Sequence, residues 1–110
     1  MKTTIQDNYL LVSQENLSFD DFVKKFTTDY DHFRANNIVL DLNLSQNLTI
    51  KDLTRFEKIA TQHHKIKKSF VIVYEDLNFN DLPESLVTVP TLQEAKDLIE
   101  MEEIERDLGF

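Results

Sequence analysis

The sequence predicts an α/β domain: a mostly parallel sheet of four or five strands, opened by an N-terminal hairpin, with helices packed mainly on one face. Three observations carry that expectation. Two apolar runs, Ile38-Val39-Leu40-Asp41-Leu42 and Phe70-Val71-Ile72-Val73-Tyr74, are short and rich in β-branched residues, as strands buried on both faces are. Segments with apolar residues at helical spacing alternate with them. The links are short, which implies right-handed crossovers between parallel strands. One Gly and two Pro leave no linker or repeat, so residues 1–110 read as one domain. With 41% hydrophobic residues and eight Phe, the chain has the material for a core. A chain of this length buries roughly 65% of its unfolded surface.

In chain order, residues 3–6 and 9–12 flank Asp7-Asn8, a turn pair suited to a hairpin. Ser18 fits as a helix N-cap, with Asp20 and Asp21 complementing the dipole of the first turn. Phe19, Phe22, Val23, Phe26, Tyr30 and Phe33 follow at helical spacing and make one aromatic stripe. Ala35-Asn36-Asn37 ends that helix before the run from Ile38. A polar loop, 43–48, leads to Thr49, which with Asp52 resembles a capping box. Ile50, Leu53, Phe56, Ile59 and Ala60 supply the buried face of the next helix, closed by the lysines of 65–68. After the strand ending at Tyr74, residues 80–85 suit a short helical turn and 86–89 a last strand. Pro90-Thr91-Leu92-Gln93-Glu94 opens the terminal helix, with Thr91 and Glu94 as a full capping box.

Charge narrows the classes of function. The net charge of −8 disfavours nucleic acid and anionic membrane as partners, since both require a basic footprint. The absence of Cys excludes disulfides, thiolate metal sites and thiol nucleophiles. No apolar run of membrane-spanning length and no signal-like N-terminal segment occurs, so a cytoplasmic protein is expected. Residues 91–110 carry a net −5 and residues 51–68 a net +4. Two solvated helix faces, or a contact between opposite patches of neighbouring molecules, both fit that asymmetry.

Catalytic patterns are missing. The sequence contains no P-loop, dinucleotide fingerprint, Gly-x-Ser-x-Gly or His-Glu-x-x-His. His63 and His64 are adjacent, so on a helix they diverge by about 100° and do not chelate one ion; the solvent side of a helix end is the expected place for them. Glu100, Glu102, Glu103, Glu105 and Asp107 are spread around a helix rather than gathered on one side of it. Neither an enzyme nor a cofactor is expected.

The element order, with Ile38-Val39-Leu40-Asp41-Leu42 and Val89-Pro90-Thr91-Leu92-Gln93-Glu94-Ala95, resembles the STAS domain of anti-sigma-factor antagonists and sulfate-transporter tails. The first motif is similar to the family's third strand and its closing Asp, the second to the entry into its last helix. That resemblance implies a regulatory or scaffolding protein-binding module. The family's phosphorylation switch is an Asp-Ser pair at the start of the helix after the third strand. Counted on from Asp41, the pair falls on Thr49 and Ile50, and Ile50 accepts no phosphate. The run 89–110 also resembles a group of short STAS-like bacterial proteins that carry a ribonuclease Z label. A metal-dependent hydrolase or nuclease is therefore the alternative, disfavoured because the His-x-His-x-Asp-His motif of that activity is missing.

The expected partner is another protein or a second copy of the chain. At about 100° per residue, Leu92, Ala95, Leu98 and Ile99 share one face of the last helix. Met101, Ile104 and Leu108 fall roughly 150° away on the same wheel. Either the helix breaks near Glu100, or the second set protrudes. Met101, Ile104, Leu108 and Phe110 are thus the expected docking patch, with Lys51, Arg55 and Lys58 of the basic helix as a complementary surface.

Overall fold

A computed structural model describes residues 1–76 and 82–109. Strands β1 (Lys2–Ile5), β2 (Leu10–Ser13), β3 (Ile38–Asp41), β4 (Phe70–Val73) and β5 (Val87–Val89) form one mixed sheet in the order β1-β2-β3-β4-β5. β1 runs antiparallel to β2, pairing Ile5 with Leu10, and the four remaining strands pair in parallel. The hairpin turns at Asp7-Asn8 as expected: the Gln6 N–H donates to the Tyr9 carbonyl at 2.9 Å, continuing the Ile5–Leu10 register by one pair. Part of the expected helical turn at 80–85 lies outside the described residues.

Helix α1 (Phe19–Asp29) starts where the Ser18 hydroxyl accepts the Asp21 N–H, and it tightens into a 3₁₀ turn at Tyr30–His32. Thr49 caps α2 (Ile50–Leu53) with a reciprocal box. The Asp52 carboxylate accepts the Thr49 N–H at 2.9 Å while Thr49 Oγ1 accepts the Asp52 N–H at 3.1 Å. Asp thus fills the role usually taken by Glu or Gln. The single helix expected here is divided by a 3₁₀ turn, Thr54–Phe56, before α3 (Glu57–Lys65). Its cause is local: the Thr54 hydroxyl donates to the Lys51 carbonyl at 2.7 Å and competes with the helical ladder.

Because β3 and β4 are apolar on both sides, the sheet is covered on both faces. Leu10, Val12, Ile38, Leu40, Phe70 and Ile72 meet α1, α2 and α3 through Phe22, Phe26, Leu53, Phe56 and Ile59. The Phe26 ring lies 5.8–6.4 Å from those of Phe22, Tyr30, Phe33, Phe56 and Phe70. On the opposite face Val39, Val71 and Val73 pack against Ala95 and Ile99 of α4 (Leu92–Asp107). The expectation of helices mainly on one face holds for α1 to α3. The terminal helix is the exception, since the second faces of β3 and β4 also need cover. Among the described residues no helix is long and apolar enough to cross a membrane.

Candidate functional site

The geometry of α4 decides what the domain presents to its surroundings. Thr91 Oγ1 accepts the Glu94 N–H at 3.2 Å and starts the helix; of the expected capping box, this half is formed. Ala95 and Ile99 are fully buried and anchor the first half on β4 and β5. One turn further, the same face becomes polar. The Glu103 carboxylate accepts from the side-chain amides of Asn8 at 3.0 Å and Asn37 at 3.1 Å. The Arg106 guanidinium donates to Ser69 Oγ at 3.2 Å and Asn37 Oδ1 at 3.4 Å. Asn37 is the hub, since its amide also donates to the Asn8 carbonyl and its Oδ1 accepts the Ser69 N–H, both at 2.8 Å.

That clamp at the ends of β2, β3 and β4 holds α4 unbroken through Asp107. Of the two outcomes that the helical wheel allows, the second set of apolar residues protrudes. Met101 is 57% exposed, Ile104 60% and Leu108 67%. They line the outward side at i, i+3 and i+7, bordered by the exposed acids Asp97, Glu100, Glu105 and Asp107. Phe110 lies outside the described residues. Glu103 and Arg106 were missed as structural residues, although each lies at helical spacing from Ile99 (i+4 and i+7).

The basic residues lie elsewhere. Lys51, Arg55 and Lys58 are exposed on α2, the following 3₁₀ turn and α3, across the sheet from α4. Arg55 is held locally: its guanidinium bonds Asp20 Oδ1 at 2.9 Å and stands 5.8 Å from the centre of the Phe19 ring. Lys24 and Arg55 together hold the Asp20 carboxyl below the usual range, through hydrogen bonds first and charge second. One molecule therefore cannot bring its basic surface to its own α4 strip. A shallow cleft of about 530 Å³ runs along the outer side of α3, lined by Thr54, Glu57, Lys58, Thr61, Gln62 and Lys65.

Thr49 is exposed and Ile50 half-buried, beyond the end of β3. Ser45, in the same loop, is buried and its hydroxyl donates to Gln14 Oε1. Tyr74 secures the loop by accepting the Leu48 N–H at 3.0 Å. Thr49 Oγ1 is engaged by the cap of α2.

His63 is a correction. Expected at the solvent side of a helix end, it is fully buried in α3 between the rings of Tyr30 and Phe70. A carbonyl only accepts, so Nε2 carries the proton and donates to the Asn36 carbonyl at 2.8 Å. Nδ1 then accepts from the Tyr30 hydroxyl at 2.6 Å. Burial pushes its pKa down, partly opposed by the Asn36 hydrogen bond. The spacing Ile59, Ala60, His63 places it on the buried stripe, a signal that the adjacency of two histidines obscured.

Among the described residues, no three His, Asp or Glu side chains are gathered as a metal set. The carboxylates of α4 point around the helix, and that of Glu103 is taken by two amides. No protein-family model matches the chain, and no curated protein matches it.

Proposed function

We propose that this chain is a small protein-binding module, regulatory or scaffolding in kind, that works in the cytoplasm on a STAS-like fold. The single observation that carries the reading is the strip of Met101, Ile104 and Leu108 on the outward side of an unbroken α4. An apolar strip with a charged rim is the composition of an interface core and its border. The STAS-like part rests on the strand–helix alternation, on Asp41 closing β3, and on Val89-Pro90-Thr91 leading into the last helix. With Ile50 at the switch-equivalent position beside Thr49, docking is constitutive rather than gated by phosphate.

Site-specific cross-linking tests the reading. The chain has no cysteine, so Ile104→Cys takes a thiol-directed photo-cross-linker at one position. Lys2→Cys, exposed on β1, is the control. A discrete protein adduct from position 104 and none from position 2 supports the docking strip. Equal labelling at both positions, or no adduct at either, refutes it.

A further inference from the structure

We propose that the α4 strip docks on the basic outer side of α2 and α3 of a second copy, so that copies add head to tail rather than closing as a twofold dimer. The inference rests on the docking reading above and names its partner. Its ground is charge complementarity between two surfaces of the same chain. The strip is bordered by Asp97, Glu100, Glu105 and Asp107, within a run of net −5. The cleft along α3 carries Lys58 and Lys65 against the single acid Glu57, within a run of net +4.

Pairing α4 with its own twofold mate would instead set two such acidic borders against each other, which is unfavourable at close range. The cleft also offers apolar contact. Lys58, Lys65, Thr54 and Thr61 line it, residue types that carry aliphatic stems or methyls beside their polar groups. Ile66, 48% exposed, stands next to Lys65.

The direction of assembly follows from where the two surfaces lie. α4 covers one face of the sheet and α2–α3 the other. A copy that receives an α4 on one side therefore presents its own α4 on the far side, out of reach of the same neighbour. Such a heterologous contact yields an open chain or a larger ring, and an open chain keeps one free strip at one end and one free cleft at the other.

Sedimentation equilibrium of the full chain tests this with two variants at exposed positions. Ile104→Asp disables the strip; Lys58→Glu with Lys65→Glu disables the cleft. Thermal melts confirm that both fold. The wild-type mass is expected to rise with concentration beyond that of a dimer. Each variant alone should stay monomeric, with self-association weakened by at least about tenfold, the equivalent of 1.4 kcal/mol. An equimolar mixture of the two should form a dimer and grow no further, because only one intact strip and one intact cleft remain.

A wild-type dimer that stops growing and is unchanged by the lysine substitutions would overturn the head-to-tail arrangement in favour of α4 pairing with α4. A strictly monomeric wild type would overturn the second copy as partner, while cross-linking of position 104 to another protein would leave the docking strip standing. Self-association indifferent to Ile104→Asp would overturn both.

Discussion

The Glu103 carboxylate accepts the side-chain amide of Asn37 at 3.1 Å, tying the last helix to the start of β3 across 66 residues of chain. This contact explains why α4 stays one continuous helix after its apolar anchors end at Ile99, and why Met101, Ile104 and Leu108 face outward. Asn37→Ala removes the hub. It leaves the buried Ser69 N–H without its acceptor and Glu103 with one amide fewer. A cost of about 1–3 kcal/mol is expected, with faster amide hydrogen exchange in the last turns of α4. Unchanged melting and exchange would show that the apolar anchors alone hold the helix.

The aromatic core gives a second prediction. Phe26 is fully buried among the rings of Phe22, Tyr30, Phe33, Phe56 and Phe70. Phe26→Ala should cost about 3–5 kcal/mol in denaturant unfolding. Wild-type stability would contradict the packing described.

His63 predicts a pH dependence. Its folded pKa lies below the usual 6.5 because burial disfavours the charged form. The unfolded chain therefore binds the extra proton first as pH falls. Stability is full above about pH 6.5, declines below it, and the loss is complete below the folded pKa. The charged groups facing this site are His64 and Lys68, with Arg34 and Asp31 beside Tyr30. His63→Gln should flatten the stability profile between about pH 7 and 5, where the ordinary carboxylates do not yet titrate. A slope that persists in the variant would assign it to another group.

Phosphorylation supplies the fourth. The Ser45 hydroxyl is buried against Gln14 and that of Thr49 caps α2, so intact-mass measurement after treatment with antagonist-directed kinases should show no added phosphate. Thr49→Ala should lower stability by about 0.5–2 kcal/mol through loss of the cap. Phosphate found on either residue in cells would replace constitutive docking with a displaced switch.

What the sequence made legible follows a physical division. Ile38–Asp41, Phe70–Val73 and the Phe22–Phe26 stripe were readable because burial on a strand or helix face imposes a period on apolar residues. The protruding strip of α4 was readable in part, as one of two outcomes. Choosing between them required the contacts of Asn8, Asn37, Ser69, Glu103 and Arg106, which join four distant segments of chain. Polar residues lack the periodic signature of a core. For the same reason His63 passed for a surface residue, and local turn chemistry at Thr54 divided a helix that periodicity alone read as continuous.

The proposed docking strip places the outer side of α4 in an interface and not in the core. Its most direct test is Ile104→Asp, measured by melting temperature and sedimentation beside the wild type at equal concentration. A substitution at an exposed site usually changes stability by no more than about 0.5 kcal/mol, or roughly 2–4 °C in a domain of this size. For a docking strip, the melting temperature stays within that margin and association is lost. A fall well beyond it, with association unchanged, would place the strip in the core and overturn the docking proposal.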